Sequence, residues 1–244
     1  MRAWKVFCWM LRSLAMVQTQ PVWMPHPVNP SGFNPAAKIP YGCSVKDIQG
    51  GMEEFVDFLT FLNKQLVSKK MDRLESFLMP ANFSSMVGEF MAAGISRQSS
   101  TITKNNYHNG HPDLVPVGRF PDNAVQHSTE GVEIKSSRYH RGWQGHNAED
   151  VWLMVFVFDS NTAADTHKGI SDKPFRFLGV YGAQLKKSDW TFSGRSKTSR
   201  RTITASINGS GYAKMTKNWI YKDPAKIVDP ADSLQEAADS QAEE

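Results

Sequence analysis

A chain of 244 residues, 40% of them apolar, can bury one substantial core, which excludes disorder of the whole and points to one domain with extensions. No apolar run approaches the roughly eighteen residues of a membrane-spanning helix, and two cysteines, Cys8 and Cys43, make no disulfide framework, which suits a reducing cytoplasm. The net charge of +4 is uneven: residues 227–244 hold six acids and no Lys or Arg, so the rest carries 28 basic against 18 acidic residues, a body at +10 that attracts polyanions such as nucleic acid.

The first twenty residues carry Arg2 and Lys5 ahead of an apolar stretch from Val6 to Val17. Arg12 interrupts that stretch and no small-x-small cleavage site follows, so a signal peptide fits poorly; Met52 offers an alternative start. Pro21, Pro25, Pro27, Pro30, Pro35 and Pro40 lie among polar residues. Residues 1–51 therefore read as a Pro-rich arm or linker outside the core.

From Met52 the period becomes helical. Phe55, Phe58, Leu59, Leu62 and Leu66 share one face, predicting a helix over 52–68. A short second helix holds Met71, Leu74, Phe77 and Leu78 and is expected to end at Pro80. A third is expected to begin near Ser84 or Ser85, carry Met86, Glu89 and Phe90, and stop at Gly94.

Beyond Gly94 the pattern turns to strands. Residues 95–103 suit one, and Leu114-Val115-Pro116-Val117 suits another directly after Pro112-Asp113. After a turn-rich connection over 119–130, Val132 and Ile134 alternate with Glu133 and Lys135, the pattern of a half-buried strand. The eight apolar residues Val151–Phe158 suit a central strand covered on both faces, and Phe175–Ala183 suits a further one. Thr202–Ile207 reads as a strand followed by a tight turn at Asn208-Gly209. A helix-rich half followed by a mixed sheet defines an α/β sandwich over 52–222, and 223–244 reads as an acidic disordered tail.

The chemistry concentrates at Pro112-Asp113 and Glu133-Ile134-Lys135. Strand alternation points Glu133 and Lys135 to one face, about 6–7 Å apart along the strand. A carboxylate beside an ammonium, with Asp113 brought in from a neighbouring strand, suits a divalent cation and an activated water. This arrangement resembles the PD-(D/E)xK nuclease superfamily, the fold of many type II restriction endonucleases.

The resemblance implies a restriction-endonuclease-like α/β core, with a mixed central sheet flanked by helices. It implies Mg²⁺ held by Asp113 and Glu133, with Lys135 orienting or deprotonating the attacking water. It also implies a further acid from the helix before the sheet, for which Glu89 is placed, and a glutamine after the motif, for which Gln144 is placed. The reaction implied is hydrolysis of DNA phosphodiester bonds, in a restriction or phage-defence setting, by a protein that is a homodimer in many relatives. Arg138 and Arg141, downstream of the motif, either hold phosphates or are surface residues. Read from its residues alone, the basic run over 186–201, including Arg195, Lys197, Arg200 and Arg201 and bracketed by Trp190, Phe192 and Tyr212, either tracks the backbone of double-stranded DNA or is a solvated loop. The alternative is a non-catalytic DNA-binding protein on the same scaffold.

Other motifs give less. His108-Asn109-Gly110-His111 lacks two further ligands at zinc spacing, and a strand pattern follows where an HNH-type nuclease needs a hairpin and helix. No Gly-x-Ser-x-Gly elbow and no phosphate-binding Gly-x-x-x-x-Gly-Lys occurs.

Overall fold

The computed structural model describes residues 21–145, 147–162, 165, 168–192 and 204–225. Helix α1, Val45–Ser68, begins seven residues before the predicted 52. The cause is a capping box: the Asp47 backbone N–H donates to Ser44 Oγ at 3.2 Å, and the Ser44 N–H donates to Asp47 Oδ2 at 2.8 Å.

Helix α2, Pro80–Gln98, corrects both boundaries expected there. Pro80 occupies the first turn instead of ending the preceding element, as its fixed φ and missing N–H allow. Residues 74–76 form only a 3-10 turn. Gly94 does not stop the helix. A Cβ on it would stand 3.0 Å from Gly51 Cα, so the glycine is there to let α1 and α2 approach.

The strand expected over 95–103 is accordingly short: β1 is Ile102–Lys104. It pairs antiparallel with β2, Leu114–Pro116, which touches β3, Val132–Ser137, through a single register pair, Leu114 with Val132. Strand β5, Val151–Asp159, lies parallel to β3, and β6, Arg176–Leu185, lies antiparallel to β5. With β9, Trp219–Lys222, they make a mixed six-stranded sheet in the order β1-β2-β3-β5-β6-β9. A second sheet joins β4, Gln144–Gly145, to β8, Ala205–Ile207, and β8 to β7, Trp190–Phe192.

The unbroken apolar run of β5 serves two cores at once. Met154, Phe156 and Phe158 face the helices with Phe55, Phe83, Met91 and Ile95. Val151, Leu153, Val155 and Val157 face Trp143, Leu185, Trp190 and Met215 on the opposite side. That second side is closed by the small sheet and by α3, Gly209–Lys217. Asn208 is not in a tight turn. Its side chain accepts the N–H groups of Ser210 and Gly211 and caps α3.

The Pro-rich segment is also packed. Val28 and Cys43 are buried in the helix-side core. Residues 26–38 run along the edge of the sheet, with the His26 N–H donating to Phe175 O and the Asn34 N–H to Ile220 O. The Phe33 ring sits 4.7 Å from that of Tyr221. Prolines that cannot donate are well placed on such an edge. Among the described residues no helix is long and apolar enough to cross a membrane. Residues 226–244, most of the expected acidic tail, lie outside the described set.

Candidate active site

Because β2 meets β3 at one pair only, the backbone of β3 beyond Val132 is free to take other partners. Asp113, in the turn before β2, takes one: its Oδ2 accepts the Ile134 N–H at 2.7 Å. The carboxyl is thereby held at the margin of β3, between the strand and α2. A cavity of about 180 Å³ opens there, lined by Asp113, Lys135, Ser136 and, from α2, Ser84, Ser85 and Glu89.

Glu133 is the most buried member of the group, at 9% exposure. Its Oε2 receives His111 Nδ1 at 3.0 Å and its Oε1 receives the Lys135 ammonium. His111 also reaches Glu149, with Nε2 2.8 Å from Glu149 Oε2. The imidazole thus bridges two carboxylates. Glu89 pairs with Lys104 across 2.7 Å at the exposed mouth.

These contacts split the two central acids. Burial raises the Asp113 carboxyl, the Glu133 charge raises it further, and Lys135 and the Ile134 N–H only partly compensate, leaving it pushed up to about 7. Glu133 is also penalised by burial, but its bond from His111 and the Lys135 charge outweigh that and hold it down to about 2. Lys135 and His111 are both raised, since neighbouring carboxylates overcome the desolvation that would lower them.

The segment that carries His111 and Asp113 is tied to Val125 by Asn105, which is 8% exposed. Its Nδ2 donates to Pro112 O and Val125 O, while its Oδ1 accepts the Tyr107 and Val125 N–H groups. All its hydrogen-bonding capacity is used on backbone.

Asp113, Glu133, Lys135 and Glu89, singled out in the sequence, are brought together. Gln144 is not: it lies exposed on β4, paired with Ser206 in the small sheet. Arg138 is bound to the buried Asp165 at 3.0 Å, which gives it a structural partner, and Arg141 lies over the Tyr212 ring at 5.3 Å. Trp190, expected beside a phosphate-tracking loop, is a core residue. Arg195, Lys197, Arg200 and Arg201 lie outside the described residues. His111 and Glu149 were missed. His111 adjoins Pro112-Asp113, and that adjacency was the available signal; its partners are carboxylates, so zinc spacing could not find them.

Mg²⁺, the cation implied by the resemblance, favours hard oxygen donors and keeps several waters, taking one or two carboxylates and substrate phosphate. Among the described residues no group of three or more His, Cys, Asp or Glu assembles to hold a metal alone. A pair of carboxylates suffices for this cation, and the donor set fits. Burial first and the Glu133 charge second lift Asp113, and a dication beside the pair would offset both. Glu133 spends two of its roughly four lone-pair sites on His111 and Lys135 and keeps the rest. No protein-family model, curated protein or solved structure matches the chain.

Proposed function

We propose that the protein is a Mg²⁺-dependent endonuclease that hydrolyses DNA phosphodiester bonds on a PD-(D/E)xK-like scaffold. The observation that carries this reading is the seating of Asp113 on the margin of β3, beside Glu133 and Lys135 and across a polar cavity from Glu89. Asp113 and Glu133 would hold the cation, which when bound lowers the pKa of a coordinated water and neutralises charge on the phosphate. The Lys135 ammonium lies against Glu133, where it offers positive charge to an attacked phosphate and a proton donor in the cavity wall. Ser84, Ser85 and Ser136 supply hydroxyls in the same wall. Phage defence or restriction is the setting we assign, with double-stranded DNA as substrate and a homodimer as the assembly.

A second reading, a non-catalytic DNA-binding protein, draws on Glu133 itself, whose two oxygens are already engaged by the His111 imidazole and the Lys135 ammonium. Plasmid DNA incubated with Mg²⁺ or EDTA, beside Glu133→Ala, separates the two. Mg²⁺-dependent cutting lost in the variant supports the nuclease; salt-sensitive binding with no cutting supports the second reading.

A further inference from the structure

The chain Glu149–His111–Glu133–Lys135 is more than the proposed motif requires. A glutamate on a strand has three rotatable bonds, and its terminal torsion is broad. Fixing such a side chain costs rotamer freedom that something else must offset. Here the two Glu133 oxygens receive donors from two different side chains, His111 at Oε2 and Lys135 at Oε1. One bond alone would leave the carboxylate free to turn about that bond; two fix it.

His111 is itself held at every group. Its backbone N–H donates to Gln126 O at 3.0 Å and its carbonyl accepts the Ser128 N–H at 2.9 Å. Its ring stacks on His127 with centroids 5.2 Å apart. Its second nitrogen faces Glu149 at 2.8 Å. Glu149 is anchored in turn, because its backbone carbonyl accepts the indole N–H of Trp190 at 3.0 Å, and Trp190 belongs to the core on the face of the sheet away from α1 and α2. Orientation of Glu133 therefore runs back to a rigid part of the molecule.

We propose that His111 is a positioning residue that presents the Glu133 carboxylate to the divalent cation, with Glu149 fixing the imidazole. This rests on the nuclease reading. Amide substitutions separate the two nitrogens of His111. In His111→Asn the amide nitrogen stands where Nδ1 does and can still donate to Glu133, but the bond to Glu149 is removed. In His111→Gln the amide extends toward Glu149, and the bond to Glu133 is removed.

The test is Mn²⁺ affinity, measured by calorimetry and by loss of the free-ion paramagnetic resonance signal, on full-length protein checked for folding by circular dichroism. Outer partners of a metal ligand usually contribute 10–100-fold in affinity. His111→Gln and His111→Ala are expected to bind Mn²⁺ weaker by about 30–100-fold, and His111→Asn, which loses only the Glu149 bond, weaker by about tenfold. Glu149→Ala, which leaves the His111 loop's backbone bonds in place, is expected to lose about tenfold. That variant carries the test if the His111 variants do not fold. Parent-like affinity in His111→Ala, or in Glu149→Ala where it alone folds, overturns the proposal. So does equal loss in His111→Asn and His111→Gln, which would reduce His111 to holding its loop. A parent protein that binds no Mn²⁺ overturns the cation reading and the positioning role together, and so is distinct from the other failures.

Discussion

Asp113 carries a carboxyl that is costly to ionise, and this has a measurable consequence for stability. Its folded pKa, about 7, lies above the ordinary carboxylate value. Between about pH 4 and 7 the native state therefore binds more protons than the unfolded chain, and stability falls as pH rises through that window. Glu133 acts in the opposite sense at lower pH. Its depressed pKa adds stability that is full above the ordinary glutamate value and is lost as pH falls toward 2. Asp113→Asn keeps an oxygen for the Ile134 N–H and removes the charge. Urea unfolding in EDTA should show the variant equal to the parent near pH 4 and more stable by about 1–3 kcal/mol at pH 8. A variant less stable at pH 8 would mean that the native carboxyl ionises readily. Lys135→Met should lower Mg²⁺-dependent cleavage about 10²–10⁴-fold, as loss of a proton-transfer group does, while Mn²⁺ still binds, weakened no more than in the His111 variants because one of the two bonds that fix Glu133 is gone. Cleavage at the parent rate would remove Lys135 from the chemistry. The alternation around Glu133 and Lys135 made their shared face legible in the sequence. The partnership of His111 with Glu149 was not, because it depends on where two loops return to the sheet.

Element boundaries were legible where hydrophobic period alone decides them. Val151–Phe158 was such a case, since a run covered on both faces has no polar side to obscure it. They were illegible where one residue type has two uses. Pro80 reads equally as the end of one element or the first turn of the next. Gly94 reads as a stop until its approach to Gly51 is known. That close approach is a sharp test of how α2 is held. Gly94→Val must displace α1 backbone, and overpacking of this kind costs about 1–3 kcal/mol, read as a lower urea midpoint. Because α2 also supplies Ser84, Ser85 and Glu89 to the cavity wall, the same variant should cleave DNA more slowly at temperatures where it remains folded. An unchanged midpoint would show that the two helices slide apart freely.

Across the whole molecule, charge is the property that bears on a polyanionic partner. Each DNA phosphate left without its cationic side chain should flatten the slope of log affinity against log salt by about 0.9. Replacing Arg195, Lys197 and Arg200 by Ala should thus weaken DNA binding most at low salt and reduce that slope by the equivalent of up to about three phosphates, measured by fluorescence anisotropy. A parallel shift with the slope intact would take the run out of the interface. The proline-rich strap along β9 bears on something else, the order in which the protein is made. Asn34 bonds to Trp219 and Ile220, partners some 185 positions further on, so residues 26–38 find their place only after that intervening length has been translated. Until residues 219–222 leave the ribosome, the outer edge of β6 stands open to other chains, and pairings so distant in sequence form slowly. A nascent chain stalled before Trp219 should therefore be a substrate for chaperones, and one released just after Lys222 should not.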